Sequence, residues 1–328
     1  MKPQPLFDAN LLRTNGTVQS GLHERAAALG RKHFGGRVFV RAVVEISNFC
    51  RENCHYCGMR RDNRSLSRYR ARFEELAELL IHHRPESVTD VNLQAGEDPI
   101  AIREIAIPLI QALRRETLLG ISVCLGTLNK NLYEELRSAG ASIYILKFET
   151  GSEGLYSALE APGNFHERIE HIHALAADDW KVSSGFICGL PGEGDAELLR
   201  NFEMAGDLPL AGCSVSPFIP GDETPLANDK AADINLTLNC MAALRIMRPE
   251  LVIPAVSALN LAGANGYRRG LRTGANLVTI NMTPSPQRDE YLLYKRDRFI
   301  MTEARVLEAI AAENLVPSTE SLADYWRS

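Results

Sequence analysis

The strongest constraint on this chain is an alternation. Short apolar segments of strand-like composition recur, with amphipathic helix-like segments between them. The strand candidates are 38–47 (VFVRAVVEIS), 88–94, 120–126, 142–148, 181–189, 213–218, 251–257 and 275–281 (ANLVTIN). Helix candidates fall between them at 73–83, 102–116, 131–140, 166–178, 196–206 and 236–247. Eight strands, each followed by a helix or helical turn, predict parallel strands joined by right-handed crossovers. Eight such units in about 250 residues suit a closed barrel. The predicted fold class is α/β: a (β/α)8 TIM-type barrel over 38–300, a helical N-terminal extension over 1–37, and a C-terminal helix and tail over 301–328. An open doubly wound sheet shares the pattern and stays open at this point.

Parallel strands covered on both faces should be almost wholly apolar. Several of these strands alternate instead. Arg41, Glu45 and Ser47 share one face of the first, opposite Ala42, Val44 and Ile46. Lys147 and Glu149 share a face of the fourth, and Ser122 and Cys124 a face of the third. Buried ion pairs such as Arg41–Glu45 are the bland explanation. Several charges inside a barrel are costly unless paired or holding a ligand, so the pattern taken together favours a ligand chamber.

Three cysteines lie directly after the first strand: Cys50, Cys54 and Cys57, spaced C-x3-C-x2-C. Barrels of this type carry their active sites at the carboxyl ends of the strands. The chain has 7 cysteines, an odd and uneven set that does not suit a disulfide framework and points to a reducing cytosol. The first residues, MKPQPLFDANLLRTNG, lack the apolar core of a secretion signal, and no apolar run is long enough to span a membrane. A net charge of −5 argues against a general nucleic-acid binder.

The cluster has three readings. A structural zinc site normally takes four protein ligands, and His55, the nearest candidate for a fourth, sits inside the same short loop. An electron-transfer cluster would want four cysteines. The third reading is a 4Fe-4S cluster with three protein ligands and one open iron. A catalytic metal site needs such an open position.

With Tyr56 ahead of the last cysteine, the motif resembles the signature of the radical S-adenosylmethionine (radical SAM) superfamily. The stretches EISNFCRENCHYCGMRRDNRSLSRYR (45–70), LQAGEDP (93–99), KFETGSE (147–153), GLPGE (189–193), SPFIPGDETPLAN (216–228) and GANLVTINMTPSPQR (274–288) are similar, in order, to the HydE-like group. That group contains the [FeFe]-hydrogenase maturase, biotin synthase and methylornithine synthase. The resemblance implies a complete barrel and a 4Fe-4S cluster on Cys50, Cys54 and Cys57 whose open iron chelates S-adenosylmethionine. Reductive cleavage would then give a 5′-deoxyadenosyl radical acting on a small substrate.

Residue by residue, the resemblance implies further roles. Tyr56 and Ile219 match backbone contacts to the adenine. Gly96 and Glu97 fall on the motif that holds the amino group of S-adenosylmethionine. Glu149 matches a carboxylate near the ribose, and Arg168 the arginine that grips the carboxylate, a job suited to a guanidinium. Without the resemblance, Arg168 would read as a helix-surface charge and Glu97 as an acid at a helix start. Gln94, Lys147, Ser122 and Cys124 are expected toward the substrate.

Departures from the group also bear on the reaction. Ser122 and Ser183 stand where a biotin-synthase-type second cluster would need cysteines, and Ala255 about where it would need an arginine. Cys188 has the opposite parity to Ser183 and is expected to face the helices. Lys147 stands where the maturase has an arginine, and the two bind carboxylates differently. A paralogue in lipoate- or biotin-type sulfur insertion, or in methylornithine-type rearrangement, stays open, as does a non-catalytic iron–sulfur or zinc protein. Seven arginines, Arg51, Arg60, Arg61, Arg64, Arg68, Arg70 and Arg72, crowd 22 residues around the cysteines. They read either as a docking face for an acidic electron donor, a flavodoxin or ferredoxin, or as partners for Glu52, Asp62, Glu74 and Glu75.

Overall fold

A computed structural model describes residues 8–296 and 300–327; the first seven residues of the expected extension lie outside the described set. The strands are β1 (Arg37–Ser47), β2 (Asp90–Ala95), β3 (Gly120–Cys124), β4 (Ile143–Ile145), β5 (Lys181–Cys188), β6 (Gly212–Pro217), β7 (Leu277–Asn281) and β8 (Val316–Pro317). All pairings between them are parallel, in the order β6-β5-β4-β3-β2-β1-β7, with β8 added to the start of β1. The helices Phe73–His82, Lys130–Ala139 and Phe165–Ala177 follow β1, β3 and β4. The one-sided strand pattern has its expected result. Ala42, Val44 and Ile46 enter the main apolar core, while Arg41 and Glu45 turn to the other side and line a cavity.

The expected strand over 251–257 is reduced to two bridges, Gly212 with Val252 and Pro254 with Leu277. The cause is Pro254, which has no N–H to give a ladder and breaks a central strand. The wall is nonetheless joined. Cys213 N–H donates to the Val252 carbonyl at 3.0 Å, and Ala255 N–H to that of Leu277 at 2.8 Å. Arg245 reinforces the seam from the helix Ile234–Met247. Fully buried, it donates to the carbonyls of Leu251 (2.7 Å), Pro249 (2.7 Å) and Gly274 (2.9 Å) and to Asn276 Oδ1 (2.9 Å). The fold is thus the predicted α/β barrel type, with a curled parallel sheet stitched shut at its weakest strand.

Helices Ala9–Leu12 and Gly16–Phe34 precede β1, and the helix Glu303–Ala311 precedes β8. Beyond that helix the expected tail is structured. After β8, residues Leu322–Tyr325 form a helical turn at the amino-terminal end of the barrel. Leu322 N–H donates to both oxygens of the buried Asp90 carboxylate, at 3.0 and 3.1 Å. Leu322 packs with Phe34, Phe39, Ile143, Val252 and Leu277, and Tyr325 and Trp326 cover this cluster.

Candidate active site

The carboxyl ends of the strands open into a cavity of about 350 Å³. Cys50, Cys54 and Cys57 line it together, all as free thiols. Burial pushes their pKa values up, that of Cys57 to about 12, with the neighbouring Cys50 adding to it. Thiols so placed are uncharged until a metal displaces the proton.

Strand β2 delivers the next residues. Gly96 must be glycine: a Cβ there would fall 2.2 Å from the Phe49 carbonyl and 2.7 Å from Cys50 Cβ. The close approach lets Glu97 N–H donate to Cys50 Sγ at 3.4 Å. The Glu97 side chain is buried and receives Arg51 Nε at 2.9 Å and Thr127 N–H at 2.8 Å. Arg168 NH1 lies 3.6 Å away. Burial raises the pKa of Glu97, and Arg168 opposes the rise.

Arg168 is no surface charge. It is buried on the helix Phe165–Ala177, with Nε on the Lys147 carbonyl (2.9 Å) and NH1 on Thr127 Oγ1 (2.6 Å). Burial disfavours its charged form, but Tyr156, Glu97 and Glu149 outweigh that and hold its pKa above the ordinary value. Lys147 and Glu149 pair at 2.9 Å, beside the cavity they line. Glu149 sits in the left-handed region at φ 63°, a strain of roughly 1–3 kcal/mol for a residue with a Cβ. Tyr56 lines the same cavity, and its hydroxyl is buried without a hydrogen-bond partner among the described residues.

Deeper, Gln94 and Cys124 line the cavity opposite each other across the β2–β3 register. Arg41 does not bond Glu45 as the bland reading expected. Its NH2 reaches Thr279 Oγ1 at 3.4 Å and its Nε is buried without a partner among the described residues, while Glu45 accepts from Asn281 Nδ2 at 3.0 Å. Asn92 and Thr279 complete this polar floor.

Two of the expected residues are not among those that line the cavity. Ser122 does not reach the cavity: it shares the face of Cys124 but lies below it, its hydroxyl spent on the Val91 carbonyl (3.1 Å) and Asn92 Oδ1 (3.0 Å). Ile219 is buried off the cavity wall. Cys188 faces the helices as its parity implied, 3.1 Å from Thr237 Oγ1. The arginine-rich loop divides. Arg68 and Arg70 serve the loop's own structure, and Arg70 forks onto Asp98 at 2.7 and 3.0 Å. Arg51, Arg61 and Arg72 pair with acids at 2.9, 3.2 and 3.3 Å, while Arg64 is exposed. The roles of Arg51 and Thr127 in the site were not assigned from sequence, and only the clustering of arginines near the cysteines pointed at the first; Arg41 was placed on the chamber face by strand alternation, without a role.

The chain belongs to the radical SAM superfamily, whose pattern matches residues 44–205. Members are enzymes that use a 4Fe-4S cluster and S-adenosylmethionine, act on small molecules and draw on an electron donor. Among its relatives is the [FeFe] hydrogenase maturase subunit HydE of Thermotoga maritima, 35% identical over 275 residues, 83% of this chain and 78% of that one. The 3-methylornithine synthase of Methanosarcina barkeri is 29% identical over 312 residues, 91% and 88% of the two chains. The crystal structure of methylornithine synthase (PylB) superposes with a TM-score of 0.83 at 25% identity, covering 97% of this chain and 94% of that one. The maturase HydG from Carboxydothermus hydrogenoformans shares the fold, with a TM-score of 0.81 at 23% identity, over 94% and 74% of the chains. Among the described residues no helix is long and apolar enough to cross a membrane.

Proposed function

We propose that Cys50, Cys54 and Cys57 hold the 4Fe-4S cluster, with S-adenosylmethionine in the upper half of the chamber and a small substrate below. The donor set fits the group: three free thiols border one cavity, among buried charges of both signs. Among the described residues no three His, Cys, Asp or Glu side chains converge on a point as a single ion demands; a cubane offers each thiolate a different iron. When bound, the cluster and S-adenosylmethionine supply a 5′-deoxyadenosyl radical.

The observation that carries the reading is the buried Glu97–Arg168 pair 3.6 Å apart beside Cys50. The methionine end of the cofactor is a zwitterion. Glu97 suits its ammonium and Arg168 its carboxylate, so each charge of the pair gains a ligand charge of the opposite sign. Glu149 then faces the ribose, the Gly96 backbone joins Glu97 at the amino group, and Tyr56 borders the adenine. Gln94, Lys147 and Cys124 face the substrate. HydE-like maturation chemistry is the best-supported reaction, because the 35% identity to that relative exceeds the 29% to 3-methylornithine synthase. The exposed arginine edge near the cysteines suits an acidic flavodoxin or ferredoxin, in the cytosol.

The test is anaerobic reconstitution with iron and sulfide, followed by S-adenosylmethionine and a reductant. Formation of 5′-deoxyadenosine, lost in each of C50A, C54A and C57A, is expected. Wild-type protein that binds tight zinc and yields no 5′-deoxyadenosine refutes the reading.

A further inference from the structure

The loop that carries the three cysteines has almost no regular structure between β1 and the helix Phe73–His82. Something else must hold its shape. One half-buried guanidinium does so. Arg68 NH1 donates to the carbonyl of Asn48, two residues before Cys50, and to that of Met59 (2.9 Å), two residues after Cys57. Its NH2 donates to the carbonyls of Arg60 (2.7 Å) and Asn63 (3.2 Å). Both ends of the cysteine stretch are thereby tied to a single planar group, and only an arginine offers that fork of donors. The same loop is braced by Asn63, whose Nδ2 donates to the Gly58 carbonyl at 2.6 Å.

All four partners of Arg68 are neutral carbonyls. Among the described residues it has no carboxylate partner, unlike Arg70 with Asp98 or Arg168 with Glu97. The ionisable groups its charge acts on are the thiols of Cys50 and Cys57, which become anionic only when a metal takes their protons. A partly buried cation without a counter-ion is costly, and thiolates arriving with a metal would remove that cost.

We infer that Arg68 is a positioning residue for the cluster: it shapes the apo loop to receive iron and sulfide, and its charge favours the reduced, more negative state. The inference rests on the proposed cluster.

The test compares R68Q, R68K and, as a charge control on the same loop, R64Q, using the full chain. Each is reconstituted anaerobically. Iron and sulfide per chain, the electron paramagnetic resonance of the reduced form and the midpoint potential are measured, and circular dichroism monitors the fold. R68Q should load several-fold less cluster at limiting iron, and what loads should reduce at a more negative potential. R68K should recover the potential but not the loading, because an ammonium keeps the charge and loses the fork. R64Q should match wild type in both. If R68Q does not fold, R68K carries the test by that split. Wild-type loading and potential in R68Q overturn the inference, as does an R68K that shifts the potential as far as R68Q does. A wild type that holds no cluster refutes the functional reading instead.

Discussion

Replacing Arg245 by methionine tests whether the barrel is held at the 251–255 seam. Methionine fills much of the volume and makes none of the bonds. The buried carbonyls of Leu251 and Gly274 lose their Arg245 donor, and a buried unpaired acceptor costs about 1–3 kcal/mol. The cation stacked 5.0 Å from the Phe34 ring is also lost, at about 1 kcal/mol. Relief from burying a charge returns part of this. The balance is a destabilisation of about 3 kcal/mol, or at ~2 °C per kcal/mol a melting temperature lower by ~6 °C. Scanning calorimetry of anaerobic apoprotein measures it. R245K should recover less than half, since one ammonium cannot meet four acceptors spread over two segments. If R245M melts within about 2 °C of wild type, the seam does not depend on Arg245 and the reasoning fails.

The remaining predictions concern the chamber and its base. E97Q and R168M should each weaken S-adenosylmethionine binding by at least about tenfold, or ~1.4 kcal/mol, in calorimetric titration of reconstituted protein. G96A should fail to retain iron while keeping its helical circular dichroism, because the new Cβ drives into the Phe49 carbonyl 2.2 Å away. Asp90, raised to about 6 mainly by burial, resists ionisation in the folded state more than in the unfolded one. The stability this lends is full below pH ~4 and lost as the pH rises through ~6. The urea-unfolding free energy of wild type relative to D90N should therefore fall between those limits, by at most about 3 kcal/mol; a flat difference refutes it.

The sequence disclosed most where chemistry is local. The C-x3-C-x2-C loop needs only its own neighbourhood, and strand parity placed Arg41, Cys124 and Cys188 on the right faces, whereas Gly96 and Glu97 were legible only through the resemblance, their partners Phe49, Arg51 and Thr127 being distant in the chain. It disclosed less where distance in the chain matters. Arg168 is 71 residues from Glu97, and a helix carrying Arg168 among His166, His171 and His173 gives no sign of turning it inward. Ser122 shows the limit of parity, which gives a face but not a depth: the floor of the cavity lies above it. The 251–257 segment was apolar enough for a strand, and a single proline reduced it to two bridges. The two-residue β8 has no pattern to read, since its partner Arg37–Val38 lies at the other end of the chain.

That last pairing sets an order of events during synthesis. The first barrel strand leaves the ribosome early, yet β8 and Leu322, which seat against its base and on Asp90, emerge nearly three hundred residues later. Until then the start of β1 and the Asp90 carboxylate lack the partners they have in the completed fold. Iron and sulfide delivered to a chain without β8 would meet a barrel lacking these contacts at its base, so cofactor assembly has reason to wait until β8 and Leu322 have docked.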